Sequence, residues 1–230
     1  MKSNSRQILY IGINLVSIPT ISIDSDKAIN FQVAVKDQGL DYSIVRPLPD
    51  RIVIQRQKPT SLTISAISPQ NQPFSQLIVN SDKPSTSDLF IAETEAAANA
   101  FQAVWPTDSR QLIGADATIR ELHEASNVHA FKEIWETRLG QTEDSLHILQ
   151  KLIRGGGLRF VLDPKQEETD PVQVEIKVES YFQNSKKIFL ETIFRWLKPS
   201  GSFDIRDRLT TMNDYITQRI LKFLRGEFDD

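Results

Sequence analysis

Three carboxylates and a guanidinium stand at even spacings towards the C-terminus: Glu175, Glu179, Glu191 and Arg195. On β-strands, residues an even number apart share a face, so a hairpin through this region gathers all four on one side. Carboxylates crowded together beside a cation can have their pKa values driven apart, as general acid/base work requires. These four are therefore the candidate catalytic residues. A solvated outer face produces the same alternation and is the plainer reading.

The other reactive side chains form no recognisable constellation. The three histidines are His123, His129 and His147, the first two near Glu121 and Glu124. Six residues across a strand-to-helix junction match no familiar ligand spacing, and HExxH is absent, so these read as ordinary, partly exposed histidines and no metal is expected. The run Gly155-Gly156-Gly157 leads from an expected helix into a strand, the reverse of a phosphate-binding loop. It reads as a helix C-cap and turn, and no cofactor is expected. Without cysteine or a G-x-S-x-G elbow, no nucleophile can be nominated. Phe182, Phe194 and Trp196 suit core packing against the last helix, or the lining of a ligand cavity.

Composition bounds the rest. The 230 residues are 40% hydrophobic and 25% charged, with a formal charge of -3, so the chain has globular character and no basic field to attract nucleic acid. The absence of cysteine suits a reducing cytosol, and a cytoplasmic location is expected. Lys2 and Arg6 precede the apolar run Ile8 to Ile18, but Asn14 interrupts it and alternation continues to Ile21 and Ile23, so it reads as a strand and not a signal peptide. No stretch has the ~18 apolar residues of a membrane helix.

The elements that must position these groups are mostly strands. Period-two alternation predicts Gln7 to Ser17, Ile29 to Lys36, Tyr42 to Val45, Arg51 to Gln57, Leu62 to Ile67 and Leu77 to Asn80, with a turn at Pro47 to Asp50 and no helix in this first third. A helix from about Asp88, ended by Pro106, carries Phe90, Ala97, Phe101, Val104 and Trp105 on one stripe. A strand from Gln111 to His123 follows. Next come short helices over Asn127 to Leu139, with the stripe Val128, Phe131, Trp135 and Leu139, and over Glu143 to Ile153. Then come a strand from Leu158 to Leu162 and the hairpin from Val172 to Leu197. A five-residue turn from Gln183 to Lys187 sets Ile176 opposite Phe194, Glu175 opposite Arg195 and Glu179 opposite Glu191. The last helix runs from about Arg206 to Arg225, its stripe formed by Leu209, Met212, Ile216, Ile220 and Phe223.

The order of elements predicts an α+β fold, mostly antiparallel sheet, with four helices, one of them C-terminal and amphipathic after a long hairpin. Residues 1–230 read as one domain, with a division into a β-rich segment, 1–80, and a mixed segment, 81–230, as the alternative. No internal repeat is visible. No motif identifies a family, and fold class does not carry function. The leading expectation is a soluble, non-enzymatic binding or assembly module acting through a sheet edge or apolar groove, with a protein partner or a homodimer. The alternatives are an enzyme using the acidic cluster and a small-ligand sensor with a cavity between sheet and helix.

Overall fold

The computed structural model describes residues 1–2, 5–106, 110–126, 129–142, 146, 148–151, 153–168, 171–197 and 204–227. Nine strands form one antiparallel sheet in the order β2-β3-β4-β5-β1-β6-β9-β8-β7. They are β1 (Gln7–Ile18), β2 (Ile44–Leu48), β3 (Arg51–Arg56), β4 (Leu62–Ile67), β5 (Ser75–Asp82), β6 (Gln111–Glu124), β7 (Gly157–Leu162), β8 (Val172–Ser180) and β9 (Lys187–Trp196). Burial alternates along most of them. Ile52, Ile54, Ile64, Val79, Ala117, Ile119, Val178 and Leu190 lie in the core, while the positions between them turn mostly to the opposite, open face.

The helices deliver their buried sides to the same hydrophobic cluster. They are α1 (Ser25–Asp37), α2 (Ser87–Val104), α3 (Ala130–Lys132, continuing as the π-helical turn Glu133–Arg138) and α4 (Ile205–Tyr215, a π-helical turn Ile216–Ile220, then Leu221–Arg225). An α+β fold of mostly antiparallel sheet, with a C-terminal helix, is thus what the chain adopts.

The first helix corrects the expectation of a strand from Ile29 to Lys36. Asp24 accepts from the Lys27 N–H at 2.8 Å and caps the helix, and Gly39, at φ 76°, closes its far end. Ile29, Phe31, Val33 and Val35 alternate, but Ala28, Phe31 and Val35 also stand at i, i+3 and i+7, and that helical stripe is the one buried. Ile29 and Val33, at 58% and 53% exposure, face water, so the period-two match rests on two surface residues.

The two halves of the chain repeat a topology that the sequence does not display. β1, α1, β3-β4-β5 and α2 are followed by β6, α3, β7-β8-β9 and α4 in the same order. β5 returns beside β1 as β9 returns beside β6, and β1 pairs with β6 at the centre, Asn14 opposite Asp116. The first half adds β2 at the edge, where Pro47 withholds the donor a central strand would need.

In the C-terminal hairpin the faces are as expected, but the register differs by two residues. Ile176 lies opposite Thr192, Glu175 opposite Ile193 and Glu179 opposite Phe189. The connecting loop is longer than a five-residue turn because Asn184 organises it: its N–H donates to Tyr181 O, its carbonyl accepts from Lys187 N–H and its Oδ1 from Lys186 N–H. Phe182 leaves the strand and stands 79% exposed on that loop. An even shift keeps every side chain on its face and puts Lys177, not Glu179, opposite Glu191, which removes the like-charge contact.

Candidate functional site

The π-helical turn of α4 shapes an apolar hollow against the edge of the sheet. Leu209, Met212 and Ile216 follow the α-helical stripe into the core. From Ile216 the buried positions then recur every four residues, at Ile220 and Leu224, as the wider turn of a π-helix allows. Thr217 Oγ1 stands 3.0 and 3.1 Å from the carbonyls of Asn213 and Asp214, drawing them away from the regular ladder. The consequence is a correction to the expected stripe: Phe223 rotates off the core to the rim, and Leu221 and Leu224 take its place.

There Phe223 meets Phe160 of β7 edge-on, with ring centroids 5.8 Å apart. Between α4 and the strands β7 and β8 lies a cleft of about 270 Å³. Phe160, Leu162, Ile176 and Val178 form its floor, and Ile220, Phe223 and Leu224 its far wall. Tyr215 and Arg219 complete the lining, one helical turn apart on α4. Neither side chain's polar end makes a hydrogen bond or ion pair among the described residues. Gly226, at φ 75°, ends the helix, and the Glu227 N–H donates to Lys222 O at 3.0 Å, while Arg138 of α3 donates to Leu224 O, so the end of the outer wall is anchored.

Two larger hollows have different walls. One of about 600 Å³ lies between α3 and Leu146, Lys151, Ile153 and Arg154, where His129, Lys132, Glu136 and Lys151 mix with Phe131 and Trp135. The other, of about 470 Å³, is polar and sits where Lys83 to Asp88 lead into α2. Both are built largely on connecting segments, whereas the cleft under α4 rests on regular strands and a helix, which hold a binding geometry more tightly.

The residues singled out from sequence lie elsewhere, on the open face of the sheet. Glu175 sits between two guanidiniums, Arg195 at 3.0 Å and Arg159 at 2.7 Å. Burial pushes its carboxyl upward, but the hydrogen bonds and charges of Arg195 and Arg159 outweigh this and hold it below the usual carboxylate range. Glu191 pairs with Arg120 at 2.5 Å, and Glu179 with Lys177 at 3.4 Å. Each carboxylate thus has its own cation in a surface ladder. At the centre of the same face Asp116 is pushed above its usual range by burial, against the hydrogen bond from Asn14 at 3.1 Å and the charge of Arg195.

The ladder's contribution carries a pH signature. Because the Glu175 pKa is depressed in the folded state, its stabilisation is present above the unfolded value of about 4.3 and is lost as pH falls through the folded value. Glu175→Gln is expected to cost about 0.5–1 kcal/mol at pH 7 in urea denaturation, and the difference from wild type to close at strongly acid pH. A difference unchanged by acid would contradict the pairing.

His123 is not partly exposed: it is buried, Nε2 3.1 Å from Glu121 Oε2, and Arg6 bridges Glu121 to Asn213 of α4. His129 accepts the Phe131 N–H at its helix start, and His147 lies outside the described residues. The glycines answer a need for room: a Cβ on Gly156 would come 2.7 Å from the Phe131 ring, and neither Gly155, Gly156 nor Gly157 has a positive φ. The expected stripe of α3 is also revised, since Ala130, Glu133 and Ile134 are buried while Phe131 and Trp135 are half-buried and Leu139 is exposed; Val128 and much of 143–153 lie outside the described residues. Among the described residues no group of three or more His, Asp and Glu could hold a metal ion, and no helix is long and apolar enough to cross a membrane.

No protein family and no curated protein matches the chain. Among solved structures it is similar to the regulatory subunit of aspartate kinase from Thermus flavus, at 11% identity over 90% of this chain and 94% of that one, with a TM-score of 0.25. A likeness at that level carries no argument about fold or function.

Proposed function

We propose that the protein is a non-enzymatic binding module and that it binds in the cleft between β7, β8 and α4. The observation that carries this reading is the rotation of Phe223 out of the core by the π-helical turn, which leaves an apolar hollow of about 270 Å³ walled by regular elements. π-helical turns are rare and occur frequently at functional sites. A pocket of this size takes a small apolar molecule or a single side-chain cluster of a partner. The small molecule fits better, because the space has walls on strand and helix sides alike. On this reading residues 1–230 act as one cytoplasmic domain, and the charged ladder of Glu175, Glu179, Glu191 and Arg195 keeps the open face soluble.

The test is a neutral apolar fluorophore, N-phenylnaphthylamine, titrated into the full chain. Saturable binding is expected, weakened more than fivefold by Val178→Phe, which fills the floor, and by Leu162→Trp, which closes the mouth. Leu162 is already partly exposed, so that variant folds even if the larger floor residue overpacks the core. Saturable binding that neither variant weakens, or no binding at all, would remove the reading.

A further inference from the structure

The cleft has a polarity, and from it we infer that its ligand is amphipathic and anionic: an aliphatic or aromatic body with a single carboxylate or phosphate head. This rests on the cleft being the binding site and adds the chemistry of what enters. Seven of the nine lining residues are apolar. The two polar ones, Tyr215 and Arg219, are four residues apart on α4, so they stand one above the other on the same helix face. They therefore set a hydroxyl donor and a guanidinium one turn apart on the wall that α4 gives the cavity.

Both groups are unspent among the described residues. The other arginines close to this corner of the molecule have partners: Arg159 pairs with Glu175, Arg225 with Glu227 at 2.6 Å, and Arg138 donates to Leu224 O. Arg219 has none among the described residues, and it is exposed at the rim while its neighbour Ile220 is buried. The Tyr215 ring packs edge-on against Phe194, centroids 5.7 Å apart, which holds the ring in place on the lining. A planar guanidinium matches a carboxylate or phosphate with two parallel hydrogen bonds, and a phenol beside it adds a third. The body of the ligand then lies on Phe160, Leu162 and Ile176, with Phe223 as the outer wall. An uncharged ligand would leave the guanidinium in water at the mouth, and a cation would be repelled by it.

The experiment measures displacement of N-phenylnaphthylamine by octanoate, octyl phosphate and octanol, at low salt and pH 8, from wild type and from Arg219→Gln, Arg219→Lys and Tyr215→Phe. The quantity read is the ratio of anion to alcohol affinity. Arg219→Gln is expected to lower that ratio about five- to tenfold, Tyr215→Phe about two- to threefold, and Arg219→Lys less than the glutamine change. Added salt should lower the wild-type ratio and leave that of Arg219→Gln alone. Whichever of octanoate and octyl phosphate gains more from Arg219 identifies the head group. A ratio unaffected by Arg219→Gln while the fluorophore still binds would overturn the anionic head and leave the cleft standing. Failure of the fluorophore to enter would remove both.

Discussion

Replacing Ile216 by Asp is expected to abolish the folded state. Ile216 is fully buried at the junction where α4 passes into its π-helical turn, in one cluster with Leu209, Met212 and Ile220. All of these are covered by residues of the same chain. An aspartate there has no cation within the apolar cluster, and an unpaired buried carboxylate costs several kcal/mol. That is comparable with the roughly 5–15 kcal/mol of net stability typical of a domain. Circular dichroism should show loss of the cooperative melt, while Gln218→Asp, on the exposed side of the same turn, should melt as wild type does. A folded Ile216→Asp protein of reduced oligomeric state by light scattering would mean that the stripe packs between subunits and not within one.

The second large effect separates the two readings of residues 29–35. Phe31→Ala should destabilise by about 3–5 kcal/mol, because its ring is fully buried against Trp105 at 5.3 Å and Phe101 at 6.3 Å. Ile29→Asp and Val33→Asp should each change stability by less than about 0.5 kcal/mol, since both side chains already face water on the outer side of α1. A strand burying one face would make all three changes costly together. Urea denaturation of the three variants decides between them. A large loss for Ile29→Asp would contradict the helix.

The same pair of residues shows how much of the fold was legible. Where the buried face alone is apolar, as in β8 with Val174, Ile176 and Val178, the period is unambiguous and points to a strand. In α1 two exposed aliphatics fall on alternate positions and imitate a strand, although the capping Asp24 and the closing Gly39 are local signals of a helix. The hairpin faces can be read, but its register cannot, because register depends on a loop whose shape is set by the hydrogen bonds of Asn184. The topological repeat leaves no trace, since each half needs only apolar residues at matching depths and not the same ones.

The cleft is the least legible feature. Phe194, Trp196 and the apolar residues of β8 and α4 are visible as core candidates, and a cavity between sheet and helix stands among the alternatives. What turns core into cleft is a wider turn in one stretch of α4, and no composition or spacing rule announces a π-helical turn. Tyr215 and Arg219 go unnoticed for the same reason, as polar positions on the water side of an amphipathic helix. The acidic cluster draws notice because its alternation is clean, yet the structure gives each of its carboxylates a separate cation.

Whether the cleft under α4 is where this protein binds is decided by methyl-resolved NMR during titration with N-phenylnaphthylamine. Saturable shifts are expected in the methyl groups of Leu162, Ile176, Val178, Ile220 and Leu224, with those of Ile52, Ile54 and Ile64 in the distant half of the sheet unmoved. Shifts confined to another surface, or spread evenly over the protein, would contradict binding in the cleft.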